Sequence, residues 1–533
     1  MKRIALFMAL VMMLSLVVGC GGDKPTSTPG TSTPATSTTK PSEVTPPAAD
    51  VKYEETVVIG QNAKTTTTVP QNQTNIAHRM MFALTHNTLV GYVEKAKELK
   101  PELAKEWKVS DDLKTWTFTL RDDVVFHNGE KFTADDVVYT WERALSAEGV
   151  SGTVKSAYAA MESVKANGDY EVVITLKEGN IDLLYTLSNE YMAILNREAC
   201  TADATNGGSI GTGAWINKEF VSGDHTTLNV NEKYWAEVPV TKVLEFRYIS
   251  EGSARLIALE NEEIDVCQSP NNTEHALIKE NKDLILEAYP SSALTYLSFN
   301  MDSFLGEDEN LRLAIAHALN NDAIIQGAAS GFGTVANSMW GIDQYGYFDA
   351  WESVGQATYN NNMEKAKEYM AKSKYATTGV DIKFMTSTAW RVKALQIMMD
   401  QLKPLGINVI VDEVDAAGLT SRSNTGDFEV LMYSITFTPA GSDVKRIFYP
   451  GSSTNNANYN NARVTELLDL AGAEQDDAKR KAYYQEVQEI IHKEAPYIPL
   501  YYANSGAAYD KNLEAAIFNN SGNHDYTYAR VPA

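Results

Sequence analysis

Between residues 115 and 145 the apolar period of the chain changes from two to about 3.6 across one tight turn. "TWTFTL" (115–120) alternates, setting Trp116, Phe118 and Leu120 on one face, as a half-buried strand requires. "HNGE" (127–130) reads as a turn, with Asn128-Gly129 suited to positive φ. "TADD" then opens a helix, with Thr133 as its cap and Asp136 at the third position. Asp135 and Asp136 meet the positive end of the helix dipole. Val137, Val138, Trp141 and Leu145 form the expected buried stripe. Such a segment needs a sheet with a helix laid against it.

The same stretch crowds His127 among Asp122, Asp123, Glu130, Asp135 and Asp136, which raises the question of a metal or acid–base centre. No second histidine or cysteine stands nearby at a ligand spacing, and the 8 histidines of the chain form no HxH or HExxH pattern. Each acid already has a structural task in a turn or cap. The scaffold reading is the stronger.

Helical stripes recur at Leu311, Ile315, Ala318 and Leu319, and at Leu395, Met398, Met399 and Leu402 before the strand "INVIV". Tyr483, Val487, Ile490 and Ile491 make another before Pro496. Strands alternating with helices indicate an α/β protein with helices on both faces of open sheets. At 533 residues the chain has room for two or three lobes. A formal charge of −23 argues against nucleic acid or an anionic membrane surface as direct partners.

The first residues read as an address. Lys2 and Arg3 precede an apolar run of 15 residues, Ile4 to Val18, too short to span a bilayer comfortably. "LVVGC" resembles a bacterial lipobox, which makes residues 1–19 a signal peptide and Cys20 the lipidated residue. Residues 20–50 are a Thr/Ser/Pro-rich tether that cannot bury enough surface to fold, with a reach of roughly 90 Å when extended. Beyond it no apolar run approaches 18 residues. Cys200 and Cys267 are left either to pair or to remain free.

"PELAKEWKVSDDLKTWTFTLRDDVVFHNGEKFTADDVVYTWERAL" (101–145) resembles the signature region of the extracellular solute-binding proteins of family 5, the peptide- and nickel-type receptors of ABC importers. "GTGAW" (211–215), "NEKYW" (231–235), "ALENEEIDV" (258–266) and residues 297–325 are similar to further motifs of that family. So are "MDQLKPLGINVIV" and "EVQEIIHKEAPYIPLYY". Two departures stand out, Ala214 for a usual proline and Glu262 for a usual glycine.

The resemblance implies a two-lobe periplasmic-binding-protein type II-like fold with an inserted subdomain in the first lobe. Residues 51–88, 189–297 and 500–533 would form lobe I, 89–188 the insertion, and 298–499 lobe II. It implies a monomeric receptor rather than an enzyme, without cofactor or metal. That receptor closes on a peptide or other small solute and delivers it to a membrane permease and its ATPase. A nickel-chelate or saccharide receptor of the same fold, or a peptide-sensing one, stays open beside it. For the metal alternative the histidines to watch are His86, His127, His317 and His492.

In the family an acid after a Gly-Trp holds the ligand's ammonium group. Here "LMYSITFTPAGSDVKRIF" (431–448) lacks Gly-Trp, and the only nearby acid is Asp443, either a displaced clamp or a helix cap. Tyr433, Trp340, Trp390, Arg391 and Tyr501 fall in regions that line the family's cleft, the aromatics as stacking faces and Arg391 as a carboxylate holder. "GGSIG" (207–211) meets the G-x-S-x-G pattern of α/β hydrolases, but the polar "CTADATN" before it is not the buried strand that a nucleophile elbow needs.

Overall fold

The computed structural model describes residues 46–48 and 51–533. Cys20, the signal peptide and most of the tether lie outside the described residues.

One mixed sheet of 11 strands runs through the molecule. At its centre the long strands Leu284–Phe299 and Tyr497–Asp510 pair antiparallel over most of their length, broken by register shifts at Pro290/Leu294 and Thr295/Tyr296. On one side the order continues through Val266–Gln268, Thr56–Gln61, Val243–Tyr248, His225–Val230 and Trp215–Val221. On the other it runs through Val430–Thr436, Val380–Thr386 and Ile407–Glu413. The two sides are the two lobes, and the long strands cross between them.

The second lobe is laid out by helix–strand alternation. The helix Ala389–Leu402 buries Leu395, Met398 and Leu402, and its chain turns through Gly406 at φ 73° into Ile407–Glu413. The stripe Leu311, Ile315, Ala318 and Leu319 is buried in the same core. In the last long helix, Asp477–Glu494, the buried line is Tyr484, Val487 and Ile491, one position on from Tyr483, which is half-buried.

The inserted subdomain is a four-stranded antiparallel sheet in the order Ala104–Val109, Thr115–Leu120, Glu171–Leu176, Met161–Ala166. Trp116, Phe118 and Leu120 all point into its core, as the alternation requires. The helix Ala134–Ser146 follows the turn, with Asp136 accepting from the Thr133 backbone at 2.9 Å. Its buried face is Val137, Thr140 and Ala144 rather than a line ending at Leu145, which is 42% exposed. Leu145 falls in the last turn of the helix, on its exposed side.

His127 does what its sequence neighbourhood obscured. Its Nδ1 accepts from the Gly211 amide and its Nε2–H donates to the Gly213 carbonyl at 3.0 Å, so it clasps the turn that leads into "GTGAW". Burial holds its pKa down to about 4, keeping the ring neutral for that double role. Gly211 is needed there because a Cβ would stand 2.0 Å from the Thr85 carbonyl oxygen. Cys200 and Cys267 are both free, buried thiols.

Candidate ligand-binding site

Four of the residues singled out from sequence meet although they come from three distant segments. The helix Ala389–Leu402 delivers Trp390 and Arg391 in its first turn, the strand Val430–Thr436 delivers Tyr433, and the crossover strand Tyr497–Asp510 delivers Tyr501. The Arg391 guanidinium lies 4.9 Å from the Trp390 ring centre and 5.7 Å from that of Tyr433. Trp390 and Tyr501 stand 6.3 Å apart, edge to face. These are cation–π and aromatic distances at which each contact contributes on the order of 1 kcal/mol.

Arg391 donates through Nη2 to Ser434 Oγ at 2.9 Å, and its buried Nε has no partner. No carboxylate pairs with it among the described residues. Burial pushes the guanidinium below its ordinary range, and only the hydroxyls of Tyr501, Tyr433 and Tyr296 offset this. Tyr501 is itself buried and pushed up to about 12. A half-buried cation paired with no carboxylate among the described residues and edged by rings suits a ligand carboxylate.

Asp443 has a different setting. Its carboxylate accepts from the Thr438 amide at 2.9 Å and pairs with Arg446 Nε at 2.9 Å, and the side chain is 14% exposed. It braces its own loop and is already neutralised. Trp340 is fully buried, stacked on Phe448 at 5.7 Å and edge-on to Tyr484 at 5.9 Å. Its place is in the core of the second lobe, where it offers no face to a ligand. Asn300, at the end of the crossover strand, ties the Gly426 and Phe428 carbonyls and is structural too.

Sequence reasoning missed a chamber of about 880 Å³ next to the Asp443 loop. One wall comes from the inserted subdomain and the segment after it, including Asn180, Tyr185 and Tyr191; the other comes from Thr438, Pro439 and Ser442 of the second lobe. Asp182 joins the walls. It accepts from the Ser442 amide at 2.9 Å and forms a buried ion pair with Arg480, whose guanidinium lies 4.3 Å from the Tyr345 ring centre. Asp182 and Arg480 are 298 positions apart, and nothing in either local sequence announces the pair.

The four histidines named for a metal alternative fall as two pairs. His86 and His127 lie by the Gly211 turn, bonded to the backbone through His86 Nε2 to the Gly208 carbonyl and the His127 clasp. His492 is stacked between Trp351 and Tyr359, with His317 edge-on to Tyr359 at 5.3 Å. Among the described residues no three His, Cys, Asp or Glu side chains group as metal ligands would. "GGSIG" follows the helix Arg197–Ala202 rather than a strand, and Gly207 is there because a Cβ would meet the Ala199 carbonyl oxygen at 2.1 Å.

Two lobes joined by paired crossover strands, with an aromatic and guanidinium cluster on the second lobe, make up the architecture. Residues 98–459 match the model of the bacterial extracellular solute-binding proteins, family 5. The chain belongs to that family. It is 28% identical over 441 residues to the probable D,D-dipeptide-binding periplasmic protein DdpA of Escherichia coli K12, covering 79% of this chain and 83% of that one. It is 26% identical to the dipeptide-binding protein of the same organism, covering 83% and 88%. Among solved structures, HbpA2 from Haemophilus parasuis shares the fold, with a TM-score of 0.81 at 22% identity over 90% of this chain and 100% of that one.

Proposed function

We propose that this protein captures peptides between its two lobes and presents them to an ABC permease and its ATPase. It would work outside the cell membrane, held there by a lipid on Cys20. The observation that carries the peptide reading is Arg391, a half-buried guanidinium without a carboxylate partner. A peptide's terminal carboxylate would satisfy it, with Trp390 and Tyr433 packing the adjoining residue and the buried Tyr501 backing the Trp390 ring. The names of the curated relatives, which bind dipeptides, support the same substrate class. Asp443 serves the loop, so peptide binding here does not depend on it as an ammonium clamp. The physical logic of capture is differential affinity: a ligand touching both lobes favours whichever arrangement brings both into contact with it.

Titration calorimetry of the soluble part with a tripeptide, its C-terminal amide and its N-acetyl form tests this. The free acid binds. Amidation and Arg391→Ala each weaken binding at least ~30-fold, because each leaves a buried charge unpaired or absent. The amide is no weaker on the variant than on the wild type. Equal binding of acid and amide would remove the role given to Arg391. Native mass spectrometry of the purified protein reads the ligand class independently.

A further inference from the structure

We propose that a polar cavity of about 500 Å³ on the second lobe is a binding site for a neutral oligosaccharide, independent of the Arg391 cluster.

Three segments far apart in the sequence meet there. Asp302 follows the crossover strand Leu284–Phe299, Ser423 and Asn424 lie in the last turn of the helix Ala416–Thr425, and residues 450–460 form a loop before the helix Ala462–Ala473. In the paired strands Thr295 faces Ser434, the partner of Arg391, while Phe299 faces Val430. The cavity is built on the end marked by Phe299 and Val430, four strand positions or ~13 Å from Ser434.

The asparagines of this cavity divide into two sets. Asn455 and Asn458 hold the walls. Asn455 is buried; its amide donates to the Tyr449 and Tyr459 carbonyls, and its Oδ1 accepts from the Tyr459 amide and the Tyr497 hydroxyl. Asn458, held at φ 54°, donates to Asp302 Oδ2 at 2.9 Å and so ties the loop to the end of the crossover strand. Asn300 secures the third segment by donating to the Gly426 and Phe428 carbonyls. The other set is Asn424, Asn456 and Asn460, whose side chains, like that of Ser453, make no hydrogen bond to any described residue. The bonds that build the cavity are thus separate from the groups left to meet a ligand, and binding needs no rearrangement of the walls.

The free groups fix the class of ligand. Each carboxamide offers an acceptor oxygen beside two N–H donors, a match for the neighbouring hydroxyls of a sugar ring, which donate and accept in turn. No lysine or arginine lines the cavity, and its one carboxylate, Asp302, already accepts from Asn458. It therefore lacks both the cation that an anionic ligand wants and the several carboxylate oxygens that a calcium ion wants. Tyr459 is the only aromatic ring in the lining; it is buried and its hydroxyl is given to Glu494, so an aromatic or aliphatic ligand finds no broad apolar face. The volume lies within the roughly 300–1,000 Å³ of small-ligand sites and admits a short oligosaccharide.

Saturation-transfer NMR of the soluble part with maltotriose, cellotriose and chitotriose tests the proposal. At least one of the three receives saturation, and Asn424→Ala combined with Asn460→Ala weakens it at least ~10-fold in titration. Asn456→Trp, which fills the cavity from its own loop, abolishes the signal. None of these side chains braces the fold, so melting temperatures stay at the wild-type value; Ser453→Trp repeats the block if Asn456→Trp melts early. An excess of tripeptide leaves the sugar bound, because the Arg391 cluster lies elsewhere. Both preferences support the site: one for chitotriose identifies N-acetylated glycan as the source, one for the glucose trimers free oligosaccharide. Absence of transfer from all three sugars overturns it. So does a signal that survives both tryptophan variants, or one that the tripeptide displaces, which would put the sugar among the Arg391 rings instead.

Discussion

Arg446 reaches back three positions to Asp443, while Arg391, on another helix, finds only a serine hydroxyl and rings among the described residues. This contrast separates a paired charge from an unpaired one, and it yields opposite expectations for the two sites. Asp443→Asn should cost about 1 kcal/mol in denaturant unfolding, by weakening the Thr438 contact and the ion pair. It should leave tripeptide affinity within twofold; a large loss of affinity would restore the clamp role. His127→Ala should cost about 1–3 kcal/mol, because the Gly211 amide and Gly213 carbonyl lose their shared partner, with binding unchanged. At this scale the sequence names residues that the fold brings together: Arg391, Tyr433, Trp390 and Tyr501 cluster although they come from distant segments. Trp340 was misplaced because a tryptophan in a Gly-containing loop looks the same whether it faces a ligand or, as here, Phe448 and Tyr484.

At the scale of elements, the strand–turn–helix at 115–146 was readable because each part is specified by nearest neighbours: alternation, a turn dipeptide, a capping box. Thr133→Ala should lower stability by about 1 kcal/mol, measured by urea unfolding, since it removes the hydroxyl from the Asp136 cap while the backbone amide remains. The rotation of the helix's buried face away from Leu145 could not be read, because which side meets the sheet is decided by tertiary packing. The same reason hid the chamber. Its walls are contributed by residues 157–191 and 438–473, and no local pattern encodes their apposition. Asp182 looks like an ordinary helix-entry aspartate, and Arg480 like a solvated helical arginine.

For the molecule as a whole, burial of imidazoles sets the response to acid. His78, His127, His317, His492 and His524 are held down to about 4, and His86 to about 3, chiefly by burial. The unfolded chain takes up protons below about 6.5 while the folded one does not. Their contribution is therefore complete above pH ~6.5 and is lost as the pH falls toward 4, on the order of 2 kcal/mol for each at pH 5. Glu94, Asp136 and Asp265, raised by burial, act in the opposite sense and oppose the loss at the acid end of this window. The melting temperature should fall steadily from pH 7 to pH 5; a flat profile would show that these rings are accessible to protons in the folded protein.

The crossover strands also set an order of assembly. The second lobe is made almost wholly from consecutive residues between the two crossovers, but the first lobe is not. Val266–Gln268 pairs with Ala507–Tyr509, Trp215 Nε1 donates to the Thr527 carbonyl, and Tyr53 bridges to Pro532. A chain emerging amino-terminus first can thus finish its second lobe while its first still waits for the final segment. Until residues 497–533 arrive, both Val266–Gln268 and Leu284–Phe299 present open strand edges, the surfaces on which extended chains add to one another. Folding is in this sense timed by the delivery of the last residues. A chaperone's period of greatest need falls between the completion of the second lobe and the arrival of the last strand.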